Sequence, residues 1–214
     1  MKNCIGGVIL YDETIKQTSS LKKTIPELIS DSGAIPGIKV DTGAKKQAQI
    51  NNETITEGLD GLSERLKKYY DLGARFAKWR GVFKISIKNN LPSSESIKSN
   101  AHALGRYSAL VQEANMVPIV EPEVLMEGNH DIKTCYQVTK IVLQETFNQL
   151  SNNKINIKGI ILKPNMILNG AESDIKNETK QVAEMTLNCL KENVPKDVPG
   201  IAFLSGGQTE LEAT

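Results

Sequence analysis

Apolar residues recur along this chain in two alternating rhythms. Short unbroken or nearly unbroken runs, the length of strands, occur at Asn3 to Leu10, Ile35 to Val40, Phe76 to Ile85, Val117 to Val124, Gly159 to Lys163 and Gly200 to Ser205. Between them lie stretches whose apolar positions return every three or four residues: Leu59, Leu62, Leu66 and Tyr69; Ile97, Ala101, Leu104, Ser108 and Val111; Tyr136, Leu143, Phe147 and Leu150; Ala183, Leu187, Leu190 and Val194. Each set lines one face of a helix. Strands that alternate with amphipathic helices predict parallel βα units. The polar stretches Thr18 to Lys23 and Thr42 to Asn52 read as surface loops rather than interdomain linkers.

Charge and glycine gather at the C-terminal ends of these strands, in IPGIKVD (35–41), FAKWRGVFKI (76–85), MVPIVEPEV (116–124), KGIILKPN (158–165) and GIAFLSGG (200–207). A site at the C-terminal strand ends is the habit of the (β/α)₈ barrel, so the expected fold is an α/β barrel of the TIM type, with about six of its eight βα units present. Such barrels typically need about 250 residues. This chain has 214.

The candidate chemistry centres on Lys163. The run Ile160-Ile161-Leu162 ends on it, and Pro164 stops the strand. Burying an ammonium is costly and favours the neutral amine, which is how Schiff-base lysines are made; a strand-end lysine that snorkels to water is the plainer reading. Because strand side chains alternate faces, Lys78 and Arg80 point one way while Trp79 faces the helices, and Glu121 and Glu123 share a face across Pro122. Two cations and two carboxylates are therefore expected on strands neighbouring Lys163, either as a compensating ion-pair cluster or as acid–base machinery. Ser205, Gly206 and Gly207 offer a hydroxyl and unobstructed N–H groups at the expected start of a helix. That arrangement cradles phosphate, although a lone SGG is more often an ordinary strand-to-helix turn.

Composition narrows the field. A net charge of +1 and mixed-sign polar stretches give no electrostatic reason to expect nucleic acid or an anionic membrane as partner. The three cysteines, Cys4, Cys135 and Cys189, have no paired spacing and read as reduced core residues. The two histidines, His102 and His130, read as surface or capping residues and cannot supply a histidine-rich zinc site. No metal and no cofactor are expected.

The segments NCIGGVIL, GIKVD, GLDGLSER, FAKWR, VPIVEPE, ILKPN and FLSGGQ, in this order along nearly the whole chain, resemble class I fructose-1,6-bisphosphate aldolase. The resemblance implies a cytoplasmic glycolytic lyase that cleaves fructose 1,6-bisphosphate to dihydroxyacetone phosphate and glyceraldehyde 3-phosphate, and a homotetramer for the parent enzyme. It gives Lys163 the role of imine-forming nucleophile, Glu121 proton shuttling, Lys78 electrostatic assistance and Glu123 the orientation of its neighbours. Lys39 and Arg80 would meet the substrate's other charged end or its hydroxyls, and Ser205, Gly206 and Gly207 a phosphate. Lys158 stands where the family usually has glutamate, at the far end of the strand from Lys163. Residues 1–214 are expected to be a single barrel domain truncated at both ends. The family's first strand with its aspartate, its eighth strand with a phosphate-binding arginine, and its terminal tyrosine have no counterpart. The capping-box text Thr209-Glu210-Leu211-Glu212 opens a helix only two residues from the last residue. Two competing readings remain at this point: a non-catalytic barrel fragment serving as an interaction or scaffold module, and another Schiff-base lyase such as a transaldolase.

Overall fold

The structure is a computed structural model that describes residues 4–50 and 52–214. Five strands, β1 (Gly7–Leu10), β2 (Ile35–Lys39), β5 (Phe76–Phe83), β6 (Val117–Val124) and β7 (Ile161–Leu162), form one sheet in the order β1-β2-β5-β6-β7. Every neighbouring pair is parallel. A separate antiparallel hairpin pairs β3 (Ala44–Lys46) with β4 (Thr54–Thr56). The connections carry α1 (Asp12–Ile15), α2 (Ile25–Asp31), α3 (Leu62–Asp71), α4 (Ser94–Glu113), α5 (Ile132–Asn152), α6 (Thr179–Asn193) and α7 (Glu210–Ala213). This is the parallel βα arc expected of a partial barrel.

Burial follows the period of each element. Along β5, Ala77, Trp79, Gly81 and Phe83 are buried beneath helices while Lys78, Arg80 and Val82 stay partly open on the other face. The Trp79 ring lies 5.5 Å from that of Tyr107 on α4, whose hydroxyl donates to the Ala77 and Ile119 carbonyls at 2.6 and 3.2 Å. Ile97, Ala101, Leu104, Ser108 and Val111 of α4 are buried as their spacing predicts, and burial of each large apolar side chain contributes about 1.5–3 kcal/mol. Ser93 caps this helix by accepting from the Ser96 N–H at 3.1 Å. At the N-terminal end of the sheet the Phe76 ring lies across Gly37; a side chain there would collide with the ring, so glycine is what lets Phe76 close the inner floor.

Several expectations need correction. The first strand runs only from Gly7, and Asn3, its expected start, lies outside the described residues. Gly159 belongs to a 3₁₀ turn, Ile157–Gly159, opened by Asn156 Oδ1 accepting from the Lys158 N–H, which leaves β7 two residues long. The run Gly200 to Ser205 makes a single parallel bridge, Ile201 with Leu162, before turning away, so it is not a full strand. The expected loop Thr42 to Asn52 contains β3, whose Ala-Lys-Lys side chains are all exposed and so show no alternation to read. The core face of α6 is Val182, Thr186, Cys189 and Leu190 rather than the line through Ala183 and Leu187. Thr186 belongs there because its Oγ1 accepts from the Ile167 N–H at 2.9 Å, so one core position is polar by requirement.

His130 is buried, not a surface or capping residue, and burial lowers its pKa; neither ring nitrogen has a hydrogen-bond partner among the described residues. Cys4 is exposed, whereas Cys135 and Cys189 are core residues. Burial pushes the Cys135 thiol up, and pushes the Cys189 thiol to about 12. Thiolates are the reactive form, so iodoacetamide near neutral pH is expected to alkylate Cys4 and to spare Cys135 and Cys189 until the chain is unfolded, as read by peptide mass mapping. Rapid native labelling of Cys189 would show that the helix carrying it opens readily.

Candidate active site

The parallel register brings the predicted side chains together. Lys39 and Lys78 face each other across β2 and β5, and Arg80 faces Glu121 across β5 and β6. Lys163, one residue past the end of β7, is held in line by its N–H donating to the Val120 carbonyl at 2.8 Å. Asn165 adds a clamp: its Oδ1 accepts from the Val124 N–H at 3.1 Å, and its Nδ2 donates to Thr139 Oγ1 on α5 at 3.0 Å. The KPN text thus positions the lysine through the asparagine two residues beyond it.

Glu121 is the hub. One carboxylate oxygen contacts Lys163 Nζ in a very short ion pair, and the other lies 3.2 Å from Lys78 Nζ. The carboxylate is 4% exposed and Lys78 12%, while Lys163 at 23% is the more open amine. Lys78 also lies 3.6 Å from Asp41 Oδ2, and Lys39 lies 2.6 Å from Asp41 Oδ1. Arg80 pairs with Glu123. Burial pulls the Arg80 pKa down, but the Glu123 hydrogen bond and the charges of Glu123, Glu121 and Glu127 outweigh it and leave it raised. Burial raises the Tyr107 phenol well above its ordinary value, so beneath the cluster it is a neutral donor.

These groups open into a cavity of about 400 Å³, lined by Lys78, Arg80, Glu121, Glu123 and Lys163 and closed on the far side by Ser205, Gly206 and Gly207. Lys39 lies in an adjoining recess of about 380 Å³ that shares Lys78 and Arg80 with it. A larger cavity of about 1070 Å³ between α1, α3 and the hairpin touches Lys39 but not Lys163. Hence eight of the nine candidate residues line one cavity and the ninth adjoins it.

The serine-glycine turn differs from expectation in one respect. The following helix, α7, starts at Glu210 and is capped by Thr209 and Glu212, so Ser205 to Gly207 precede it as a turn of their own, closed by the Gln208 N–H donating to the Ser205 carbonyl at 3.1 Å. Gly206 and Gly207 have φ of +59° and +79°, which favours glycine, and among the described residues neither N–H has a hydrogen-bond partner. The turn can still offer N–H groups to an anion, without a helix behind it. The Met126 thioether packs where a Gly207 side chain would lie.

Sequence reasoning assigned no role to Asp41, Asn165 or Met126. Asp41 was legible, since it stands two residues after Lys39 and so shares its face. Asn165 and Met126 act across loops and left no periodic signal. Among the described residues no three His, Cys, Asp or Glu come together in a way that could hold a metal ion. No helix there is long and apolar enough to cross a membrane.

The family model described as "Glycolytic: Fructose-bisphosphate aldolase class-I" matches residues 1–214. The chain is 49% identical over 214 residues to a probable fructose-bisphosphate aldolase class 1 of Xanthomonas campestris pv. campestris, an alignment covering 100% of this chain and 64% of that protein. It is 48% identical over 210 residues to the fructose-bisphosphate aldolase of Dictyostelium discoideum, covering 98% and 59%. A crystal structure of Plasmodium falciparum fructose-bisphosphate aldolase, in complex with TRAP and a small-molecule inhibitor, superposes with a TM-score of 0.95 at 44% identity and covers 98% of this chain and 60% of that one. The chain therefore spans about three fifths of the length of these relatives. With a parallel arc and a lysine-centred cavity at its strand ends, it belongs to the class I fructose-bisphosphate aldolases.

Proposed function

We propose that this chain carries the Schiff-base centre of an aldolase that reversibly cleaves fructose 1,6-bisphosphate to dihydroxyacetone phosphate and glyceraldehyde 3-phosphate. The observation that carries this reading is the shared carboxylate: Glu121 touches Lys163 with one oxygen and Lys78 with the other, at the base of an open cavity. A chain serving only as a scaffold has no need to keep so many charges at the bottom of one recess.

The Lys163 amine attacks the C2 carbonyl carbon, and a proton is moved onto the oxygen to give the carbinolamine. Glu121, in contact with the amine, relays that proton and a second one as water departs, leaving the iminium. As the C4 hydroxyl gives its proton to water and its oxygen becomes the carbonyl of the departing aldehyde, the C3–C4 bond breaks, and the cationic nitrogen accepts the released electron pair to form the enamine. Lys78 stabilises charge on Glu121 and on the departing oxygen. Arg80, held by Glu123, and Lys39 supply positive charge along the cavity wall, while Ser205 and the free N–H groups of Gly206 and Gly207 receive one phosphate. We further assign residues 1–214 to one barrel domain, the assembled enzyme to a homotetramer, and its setting to the cytoplasm, the last supported by likeness to Arabidopsis thaliana aldolases described as cytosolic.

Borohydride reduction in the presence of dihydroxyacetone phosphate is expected to add one reduced triose phosphate to Lys163, by intact mass and peptide mapping, with no loss of yield after exhaustive EDTA treatment. An adduct that required added zinc would overturn the imine reading.

A further inference from the structure

Two lysines reach Glu121, and chemistry that needs a neutral amine must select between them. Lys78 is less exposed than Lys163 and lies in the same cluster, so depth alone does not choose Lys163. What separates them is their anions. Lys163 contacts one carboxylate, Glu121, and shares it. Lys78 lies between two, 3.2 Å from Glu121 and 3.6 Å from Asp41.

Asp41 is built into this position. It follows β2, two residues after Lys39 on the same face, and is 3% exposed at the side chain. Lys39 and Lys78 are direct register partners across β2 and β5, an arrangement that sets like charges side by side and is unfavourable unless an anion joins them. Asp41 joins them, with Oδ1 at 2.6 Å from Lys39 and also accepting from the Gly43 N–H at 3.2 Å, and Oδ2 turned toward Lys78. Oδ2 is buried and has no hydrogen-bond partner among the described residues, so the Lys78 charge is what it faces. Across the cluster, Lys39, Lys78, Arg80 and Lys163 meet Asp41, Glu121 and Glu123, with Glu127 at the exposed rim. Within this cluster Lys78 is the amine set between two carboxylates, and Asp41 is the second of them.

We propose that Asp41 is a positioning residue that holds Lys78 between two carboxylates, so that Lys163, which touches only one, is the amine left to react as the nucleophile. The assignment rests on the imine chemistry proposed above for its purpose, but not for its test. Without Asp41, Lys78 keeps only Glu121, for which it competes directly with Lys163, and the two amines become alike.

Competitive labelling with trace acetic anhydride, which modifies only neutral amines, measures this without any sugar. In the unaltered chain, Lys163 is expected to be acetylated at least about tenfold faster than Lys78, whose amine is held between Asp41 and Glu121. In Asp41→Asn the ratio should collapse to within about threefold, chiefly through faster labelling of Lys78, and Asp41→Glu should restore it in part. Should Asp41→Asn fail to fold by circular dichroism, Lys39→Met provides the opposite test: it frees Asp41 for Lys78 and removes a repelling charge, so Lys78 should label more slowly still. A ratio unchanged in folded Asp41→Asn, faster labelling of Lys78 in Lys39→Met, or Lys78 already the faster in the unaltered chain would each overturn the proposal. Failure of dihydroxyacetone phosphate to be trapped would count against the imine chemistry alone.

Discussion

Lys163→Met is expected to yield no adduct with dihydroxyacetone phosphate and borohydride, and to lower fructose 1,6-bisphosphate cleavage by on the order of 10⁴-fold or more, because loss of a covalent nucleophile is seldom compensated by its neighbours. Methionine keeps the length and much of the volume of lysine and removes only the amine. Glu121 retains Lys78 as a counterion at 3.2 Å, so the variant is not left with an orphaned buried carboxylate. Thermal melting should accordingly stay close to that of the unaltered chain, and phosphate affinity at the Ser205–Gly207 turn should persist. An adduct that survives in Lys163→Met and maps to Lys78 would move the nucleophile from the end of β7 to β5, two strands along the sheet.

Glu121→Gln is expected to slow imine trapping by about 10²–10⁴-fold, the usual contribution of a positioned proton carrier, while leaving Lys163 in place. Glutamine is the informative substitution because alanine would open a cavity and leave Lys78 and Lys163 without the carboxylate they share, with the loss of a buried pair costing about 3–5 kcal/mol. The amide keeps the shape, offers one oxygen and can relay no proton. Rapid-quench trapping measures the rate and thermal denaturation checks the fold. A trapping rate within threefold of the unaltered chain would mean that solvent or another group moves the protons, and Glu121 would then be only a counterion.

Much of this site is legible in the sequence, because it is made of strand residues. Period-two alternation placed Lys78 and Arg80 on one face and Trp79 on the other, and the structure has Trp79 buried against Tyr107 and the two cations in the cavity. The pairing of Glu121 with both lysines could not be read, since it depends on register between β5, β6 and β7, and no single-strand pattern fixes register. The hairpin β3–β4 escaped notice for a different reason. It is held by polar contacts rather than by an apolar face: Thr56 Oγ1 donates to the Arg80 carbonyl at 2.7 Å, and Asn100 bonds both the Thr56 N–H and the Thr54 carbonyl. Likewise the apolar pattern of α6 predicts the wrong phase, because a threonine occupies one of its core positions. The glycine turn was located correctly in sequence but set against the wrong neighbour, since the capping box that opens α7 lies beyond it.

The Asn165 clamp changes how the nucleophile should be regarded. A strand of two residues would fray if left to its own ladder, and Lys163 sits just past its end. Asn165 binds that end at once to β6 through Val124 and to α5 through Thr139, so amine and carboxylate are fixed to one rigid frame. The entropy of bringing them together is therefore lost during folding and not at each turnover, which is the condition for a high effective molarity between two reacting groups. A homologue could retain every charged residue of the cavity and still react slowly if this uncharged asparagine were replaced.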